Sequence, residues 1–535
     1  MRALLLAALA VGALALPARA QEAPCEGGAA ADADGTAYPC SGVALLARLP
    51  VSSFETEGSP AAGGNNDVWG WTDPATGTEY ALVGTTNGTG FVDLSDPARP
   101  RLVGKLPAGD APSPWRDVKV YADHAFVVAD RSPEHGVQVF DLRRLRDVEG
   151  PPVTFAPDAV YDRVGSAHNI VVNEETGFAY AVGSRPRGEG LPAECGARGL
   201  HAIDVRDPQR PTFAGCFSNA AADPTFVINA GYTHDAQCVV YRGPDADYAG
   251  RELCFAANED EVTVFDVTDK AAVRIVSQTE YPGDAYTHQG WLTEDHRFFL
   301  VNDELDEVNA VAATQRTVVL DLADLDEPGE VSVYDSGLTT IDHNLYVHGG
   351  LVYESNYEAG LRVLDARGLA EGRPLAEVAY FDTFPASTTI SAPCLPPNEG
   401  SDCESFNGQW SNYPFFASGI VVANDRDNGL FVLRPDAALA TSAPAPPAAF
   451  SLSDPSPNPT PGTARLTLRV PTAQAVRADL YDLAGRRVRP VFDGRAEPGR
   501  DLVLEVQGAA LPAGVYVVRV VGEAFEASRR VTLAR

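Results

Sequence analysis

Between about residue 65 and residue 435 the chain alternates short apolar runs with polar, Gly-rich turns, and one phrase recurs. Its fullest copy is YALVGTTNGTGFVDLSDPARPRLVGKLP (80–107): a strand, a turn with Gly, a strand ending in Asp, an Asp-Pro turn and a final strand. Apolar runs this short, closed by Gly, Asn and Asp-Pro, predict buried strands and not helices. The phrase returns at 124–142, 179–217, 253–269, 298–334, 351–368 and 420–435. Each of the seven copies follows another short β-like run, giving about 56 residues and four strands per unit. Such units bury their faces only against neighbours, so the array must close on itself as a propeller. The seventh copy ends at Pro435 without a final strand, whereas LLARLP (45–50) matches LVGKLP (102–107). The segment near 43–51 is therefore expected to supply the last strand of the last blade, the first blade starting near 66. A six-bladed alternative would set the 410–435 unit aside.

Composition divides the chain further. Apolar content of 45% with 48 Gly and 41 Pro is globular and turn-rich. The 73 acidic residues outnumber 41 Lys+Arg, for a formal charge of -32. That balance excludes a nucleic-acid footprint and disfavours anionic membranes. Residues 1–20, with Arg2, an apolar run and Ala18-Arg19-Ala20, have the pattern of a secretory signal peptide. No later stretch is apolar for the 18 or so residues that a membrane span needs. Export to an oxidising compartment makes the 8 cysteines disulfide candidates. They fall into close couples: Cys25 with Cys40, Cys195 with Cys216, Cys238 with Cys254, and Cys394 with Cys403. Residues 436–450 form a Pro/Ala-rich linker. Residues 451–535 are a separate module of alternating strands, with 12 Arg against 9 acidic residues, so the acid excess belongs to the region before the linker.

Two resemblances add to this. SPNP (456–459), ADLYDLAGRRV (478–488), LPAGVYVVRV (511–520) and the closing RRVTLAR resemble a type IX secretion C-terminal sorting domain. That implies a small β-sandwich recognised by outer-membrane export machinery, with no catalytic role. GFVDLSDPARPRLVG (90–104), with DVWGWTD, SAHNIVVNEETGFAYAVG, YTHDAQC, YTHQGWL and DHNLYVHGGLVYESNY, resembles the LVIVD repeats of the choice-of-anchor B family. That resemblance covers most of 43–435 and implies an exported propeller with a variable C-terminal anchor and no established reaction. The expected fold is all-β: a seven-bladed propeller over 21–435, then a small C-terminal β-sandwich over 451–535.

One ring of residues stands out. When the opening strands of the blades are aligned, their first register position holds Asp67, Arg116, His168, His234, His288, His343 and Ser411. The next position holds Asp117, Asn169, Asp235, Gln289, Asn344 and Asn412. Innermost strands surround the axis, so these side chains should converge on one mouth of the channel. Imidazoles with Asp67 or Asp235 are ligands for a divalent metal, and an open coordination position would activate water. Arg116 would hold an anion. The bland alternative is that each His hydrogen-bonds to the next blade. His124, His135, His201, His296 and His348 fall outside the register and read as turn or surface residues. ANDRDNG (423–429) and VNDELDE (301–307) look like calcium loops, but both sit at the blade turn of TTNGTG, where Asp and Asn cap turns through their own side chains. There is no G-x-S-x-G, H-E-x-x-H or Walker loop.

The expected function is a secreted or cell-surface binding protein, with the type IX machinery as one partner and an extracellular protein or carbohydrate as ligand. A metal-dependent hydrolase at the channel mouth and a passive structural surface component are the alternatives. Nothing in the sequence demands catalysis.

Overall fold

Each recurring phrase folds, with the run before it, into one antiparallel sheet. The computed structural model describes residues 22–54, 64–146, 148–192, 195–196, 198–218, 232–387, 406–436 and, with short gaps, 451–534. The leader and the linker from 437 lie outside the described residues. The chain divides into two compact units after Leu439. In the first, the opening strands of seven successive sheets are Asn65–Thr72, Arg116–Tyr121, Asn169–Asn173, Asp235–Val240, Thr287–Leu292, Asn344–His348 and Gln409–Tyr413. Each lies against the opening strand of the next sheet, and Gln409–Tyr413 returns to Asn65–Thr72. A ring closed in this way is the β-propeller arrangement.

The continuous apolar runs follow from that stacking. Glu79–Thr85 and Phe298–Asp303 are buried at every position because neighbouring sheets cover both faces. Phe91 of the first sheet stacks on Phe140 of the second at 4.7 Å between centroids, within one cluster that includes Leu82, Val103 and Val127. The Asp ending the third strand of each of the first six sheets has a local job. Asp93, Asp141, Asp204, Asp266, Asp321 and Asp365 each accept a hydrogen bond from the backbone N–H two residues on, turning the chain toward the fourth strand.

The strand Val43–Leu49 pairs antiparallel with Gly429–Pro435, setting Leu45 opposite Leu433 and Arg48 opposite Phe431. Both ends of the unit therefore share one sheet. Two further N-terminal strands, Ala37–Ser41 and Ala29–Ala31, extend the sixth sheet beyond Ala376–Phe381.

Three of the four expected cysteine couples are bridged: disulfides join Cys25 to Cys40, Cys195 to Cys216 and Cys238 to Cys254. The fourth couple is not among the observed bridges, because Cys394 and Cys403 both lie outside the described residues.

In the second unit, a three-stranded and a four-stranded antiparallel sheet enclose one core of Leu466, Leu468, Val476, Leu480, Leu504, Val518, Val520 and Val531. Its strands alternate in burial, as Thr463–Arg469 shows. One strand escapes the alternation pattern. Arg487–Ala496 contains Pro490 and Gly494, residues that a central strand excludes, and it lies at a sheet edge with a single partner strand. No helix among the described residues is long and apolar enough to cross a membrane.

Candidate functional site

His168, His234 and His343 immediately precede the opening strands of their sheets, and His288 is the second residue of its own. Adjacent sheets carry them side by side. The ring centroids are 4.2 Å apart for His168–His234, 4.2 Å for His234–His288 and 4.3 Å for His288–His343. All four line a cavity of about 400 Å³, with Asp130, Glu259, Glu304, Arg131, Arg185 and Arg198 among its other walls.

Hydrogen bonding fixes how the rings present themselves. The Nδ1 of His234 reaches the His288 carbonyl at 2.9 Å and that of His343 reaches the Trp410 carbonyl at 2.6 Å. A carbonyl only accepts, so both Nδ1 atoms carry the proton and both Nε2 atoms keep a lone pair. His168 Nδ1 lies 3.3 Å from the Asp130 carboxylate. The buried Nδ1 of His288 has no hydrogen-bond partner. Glu304 stands between two rings, 3.6 Å from His288 Nε2 and 3.7 Å from His343 Nε2, and accepts a 2.6 Å hydrogen bond from the Tyr357 hydroxyl.

Electrostatics keeps most of the rings neutral. Burial, reinforced by the neighbouring imidazoles, holds His234 and His288 well below the usual histidine range. Burial also takes His343 down to about 3, although its bond to the Trp410 carbonyl opposes the shift. His168 differs: burial opposes its charged form, but the bond to and charge of Asp130 outweigh it and the pKa is raised. Burial pushes Glu304 up to about 7 despite the Tyr357 bond. The pocket therefore gathers neutral nitrogen donors and a carboxyl poised between its two forms. The pattern of an anchored Nδ1–H with a free Nε2 is that of metal-ligating histidine. The spacings of 3.6 and 3.7 Å lie close to the roughly 3.4 Å edge of a tetrahedron with bonds of about 2.1 Å.

Backbone strain collects here too. Arg131, Arg198 and Glu259, all in the cavity wall, have φ of 51°, 61° and 68°, and Tyr357, which holds Glu304, has 41°. Non-glycine residues held in this region mark sites where geometry is fixed at a cost in stability. Arg131 lies over the Trp115 ring at 4.3 Å and Arg198 over Tyr232 at 4.9 Å, so both guanidiniums are oriented.

The remaining ring members go elsewhere. Asp67 and Asp117 bind the ammonium of Lys119 at 3.3 and 2.5 Å. Asp235 lines a different cavity, of about 310 Å³, with Lys119, Trp69, Trp291 and Tyr346. Arg116 is turned away from the histidines and buried, donating to the Thr85 carbonyl at 3.1 Å and to His135 Nε2 at 2.7 Å. It is a clip between sheets and not an anion clamp at the histidine cavity. The following register position also links sheets: Asp117 accepts from the Ile170 N–H and Gln289 from the Leu345 N–H. Ser411 is buried near the Tyr346 hydroxyl, 3.5 Å away.

Three expectations about the other histidines need correction. His135 and His201 are buried, His135 beneath Arg116 and His201 bonded to the Tyr161 hydroxyl at 2.8 Å, because sheet stacking covers positions that a single turn would expose. His124 is buried as well.

The sequence reading missed Asp130, Glu259, Glu304 and the three arginines. They follow the second strand of their sheets, at the turn where Asp and Asn read as turn formers. The available signal was the charge just after that strand in consecutive units: DR at 130–131, Arg185, Glu259 and Glu304.

No family model matches the sequence, and no curated protein matches it either. Similar solved structures include the β-propeller domain of Myceliophteria thermophila Cps50 (Swd1), at 12% identity and TM-score 0.40. Kuenenia stuttgartiensis hydrazine synthase follows at 11% and 0.42, and U3-55K at 9% and 0.40. Each likeness covers 70% of this chain and 96% of the other.

Proposed function

We propose that this chain is an exported, seven-bladed β-propeller binding protein whose ligand site is the histidine cavity, centred on a divalent transition-metal ion. One observation carries the reading: four imidazoles from consecutive sheets share a cavity with Glu304, and at least two of them present a free Nε2 lone pair. The Nε2 atoms of His288 and His343 lie 3.6 and 3.7 Å from the Glu304 carboxyl, close enough for one ion to join all three. An ion held by His288, Glu304 and His343 would keep a coordination position open toward the cavity. Arg131, Arg185 and Arg198 then favour an anionic ligand, a carboxylate or phosphoryl group, on a protein whose overall charge is -32.

The supporting frame is export. The leader pattern, the three disulfides and the C-terminal module fit a secreted or surface protein delivered through the type IX machinery, the second unit being a β-sandwich address. A hydrolase reading has one specific support: an ion on His288, Glu304 and His343 would have a coordination position left for a water and would lower that water's pKa.

Metal analysis of the full chain purified without chelator tests the proposal, together with a cobalt titration and a His288→Ala/His343→Ala variant. One transition-metal ion per chain, and a cobalt absorption band lost in the variant, support it. A wild-type chain that takes up neither metal nor cobalt overturns it. Turnover of simple esters or phosphoesters by the loaded chain separates hydrolase from binder.

A further inference from the structure

The turn that carries Glu304 holds a second group of acids that the histidine cavity does not use. Asp306 and Glu307 lie between the strands Phe298–Asp303 and Arg316–Asp321 of the fifth sheet. Asp342 comes from the segment entering the sixth sheet. One carboxylate oxygen from each of the three lies within 4.8 Å of the other two. All three are deep: relative exposure is 0% for Asp306, 8% for Glu307 and 1% for Asp342.

Their hydrogen bonding is incomplete. Arg316 binds Asp306 Oδ2 through Nε at 2.8 Å and Nη2 at 2.5 Å, and its backbone N–H reaches Asp342 Oδ2 at 3.2 Å. That leaves Asp306 Oδ1, Asp342 Oδ1 and both oxygens of Glu307 buried with no partner. One guanidinium faces three carboxyls. The neighbouring Asp303 brings no relief, since both its oxygens accept bonds, from the Tyr281 hydroxyl and the Ala285 and Tyr286 N–H groups. A buried polar atom without a partner costs stability, and more when it is charged. With one oxygen from each residue within 4.8 Å of the others, the cluster calls for a cation or a shared proton among them.

We infer that Asp306, Glu307 and Asp342 form a calcium site at the junction of the fifth and sixth sheets. The donors are all oxygen, the set that hard cations take and that softer metals pass over for imidazole. Two oxygens on one Ca²⁺ at about 2.4 Å stand at most about 4.8 Å apart, and these three donors all lie within that distance of one another. Mg²⁺ dehydrates reluctantly and keeps several waters, so a deeply buried carboxylate set suits Ca²⁺ better. The site ties Asp342, next to His343, to the turn that carries Glu304, so a bound ion braces two walls of the histidine cavity. It is chemically distinct from that cavity and stands whether or not a transition metal binds there.

The test uses the full chain, stripped with EGTA and returned to CaCl₂ or MgCl₂. Equilibrium dialysis with ⁴⁵Ca gives stoichiometry, and thermal unfolding followed by Trp fluorescence gives the midpoint. Wild type is expected to bind one Ca²⁺ at this site and to gain several degrees, with a smaller gain in MgCl₂. Glu307→Gln, and separately Asp342→Asn, should each lose one bound Ca²⁺ and most of the thermal gain while keeping cobalt uptake by the histidines. A wild type whose midpoint is indifferent to Ca²⁺ overturns the site, as does a pair of variants that keep the full response. So does a Glu307→Gln chain that matches calcium-loaded wild type in EGTA when wild type shows no calcium gain, since the carboxyls then share a proton instead of an ion. Loss of the calcium response with cobalt binding intact, or the reverse, shows which of the two sites fails.

Discussion

Replacing Lys119 by Met removes the cation that touches Asp67 and Asp117 in the ring. Its ammonium lies 2.5 Å from Asp117, 3.3 Å from Asp67 and 4.6 Å above the Trp69 ring. Burial pushes Asp67 up to about 7 and Asp235 up to about 6, and the charge of Lys119 restrains both. At an effective dielectric of about 20, a unit charge at about 3.3 Å supplies roughly 5 kcal/mol before solvation is counted. Removing one partner of such a buried pair costs about 3–5 kcal/mol net. With the ammonium gone, the least costly response of Asp67 is to take a proton, so the deficit depends on pH. A carboxyl whose native pKa is raised keeps its full share of stability below the unfolded value near 4 and loses it as pH climbs through the native value. Deleting Lys119 moves that native value higher and extends the loss. Lys119→Met should therefore be about 3–5 kcal/mol less stable than wild type at pH 8 and show a smaller deficit at pH 5, where the Asp67 and Asp235 carboxyls, raised to about 7 and about 6, take up protons. All five Trp lie between Trp69 and Trp410, so urea unfolding followed by Trp fluorescence reports the first unit alone. Lys119→Arg is the control that keeps the charge. A deficit below about 1 kcal/mol at pH 8, or an equal deficit at both pH values, refutes the reasoning.

Glu354 is buried in the sixth sheet, where burial raises its carboxyl to about 7 although Thr317 and Asn356 hydrogen-bond to it. Glu354→Gln is expected to gain about 1–3 kcal/mol at pH 8 and nothing near pH 4.5 in the same urea assay; a loss at pH 8 counts against the shift. The cross-strand Cys238–Cys254 bridge closes a loop with a sequence separation of 16, so a Cys238→Ser/Cys254→Ser chain should lose about 3 kcal/mol, read as an earlier urea midpoint. Deleting residues 22–50 strips the edge of Gly429–Pro435 that Val43–Leu49 covers, and size-exclusion chromatography should show a larger species than the whole chain gives; the absence of any such species contradicts that.

How far the sequence reaches depends on which physical constraint each residue answers. The repeat was legible because sheet stacking imposes it on the units: buried second strands read as apolar runs, and the Asp ending the third strand recurs in six of them because the same turn needs the same oxygen. The strand loan was legible because a seventh unit with three strands leaves an edge that something must cover. The histidines were legible by position, since residues at one register point of adjacent sheets must be neighbours. Their direction was not. Arg116 shares that register point, yet its length lets it turn back between sheets to the Thr85 carbonyl and His135, whereas an imidazole on the same backbone reaches only the cavity. Glu304 was hidden for a different reason. At the turn after the second strand, an acid that caps its own backbone and an acid aimed at a ligand look alike in sequence. Asp425 caps, accepting from the Asp427 and Asn428 N–H groups, while at the equivalent turn of the fifth sheet Glu304 leans toward His288 and His343. What separates them is the neighbouring sheet: Glu304 faces imidazoles, whereas Asp425 is held by its own turn. A repeat sequence therefore discloses which positions can meet at the axis, and the departures from the repeat in adjacent units decide which of them carry chemistry.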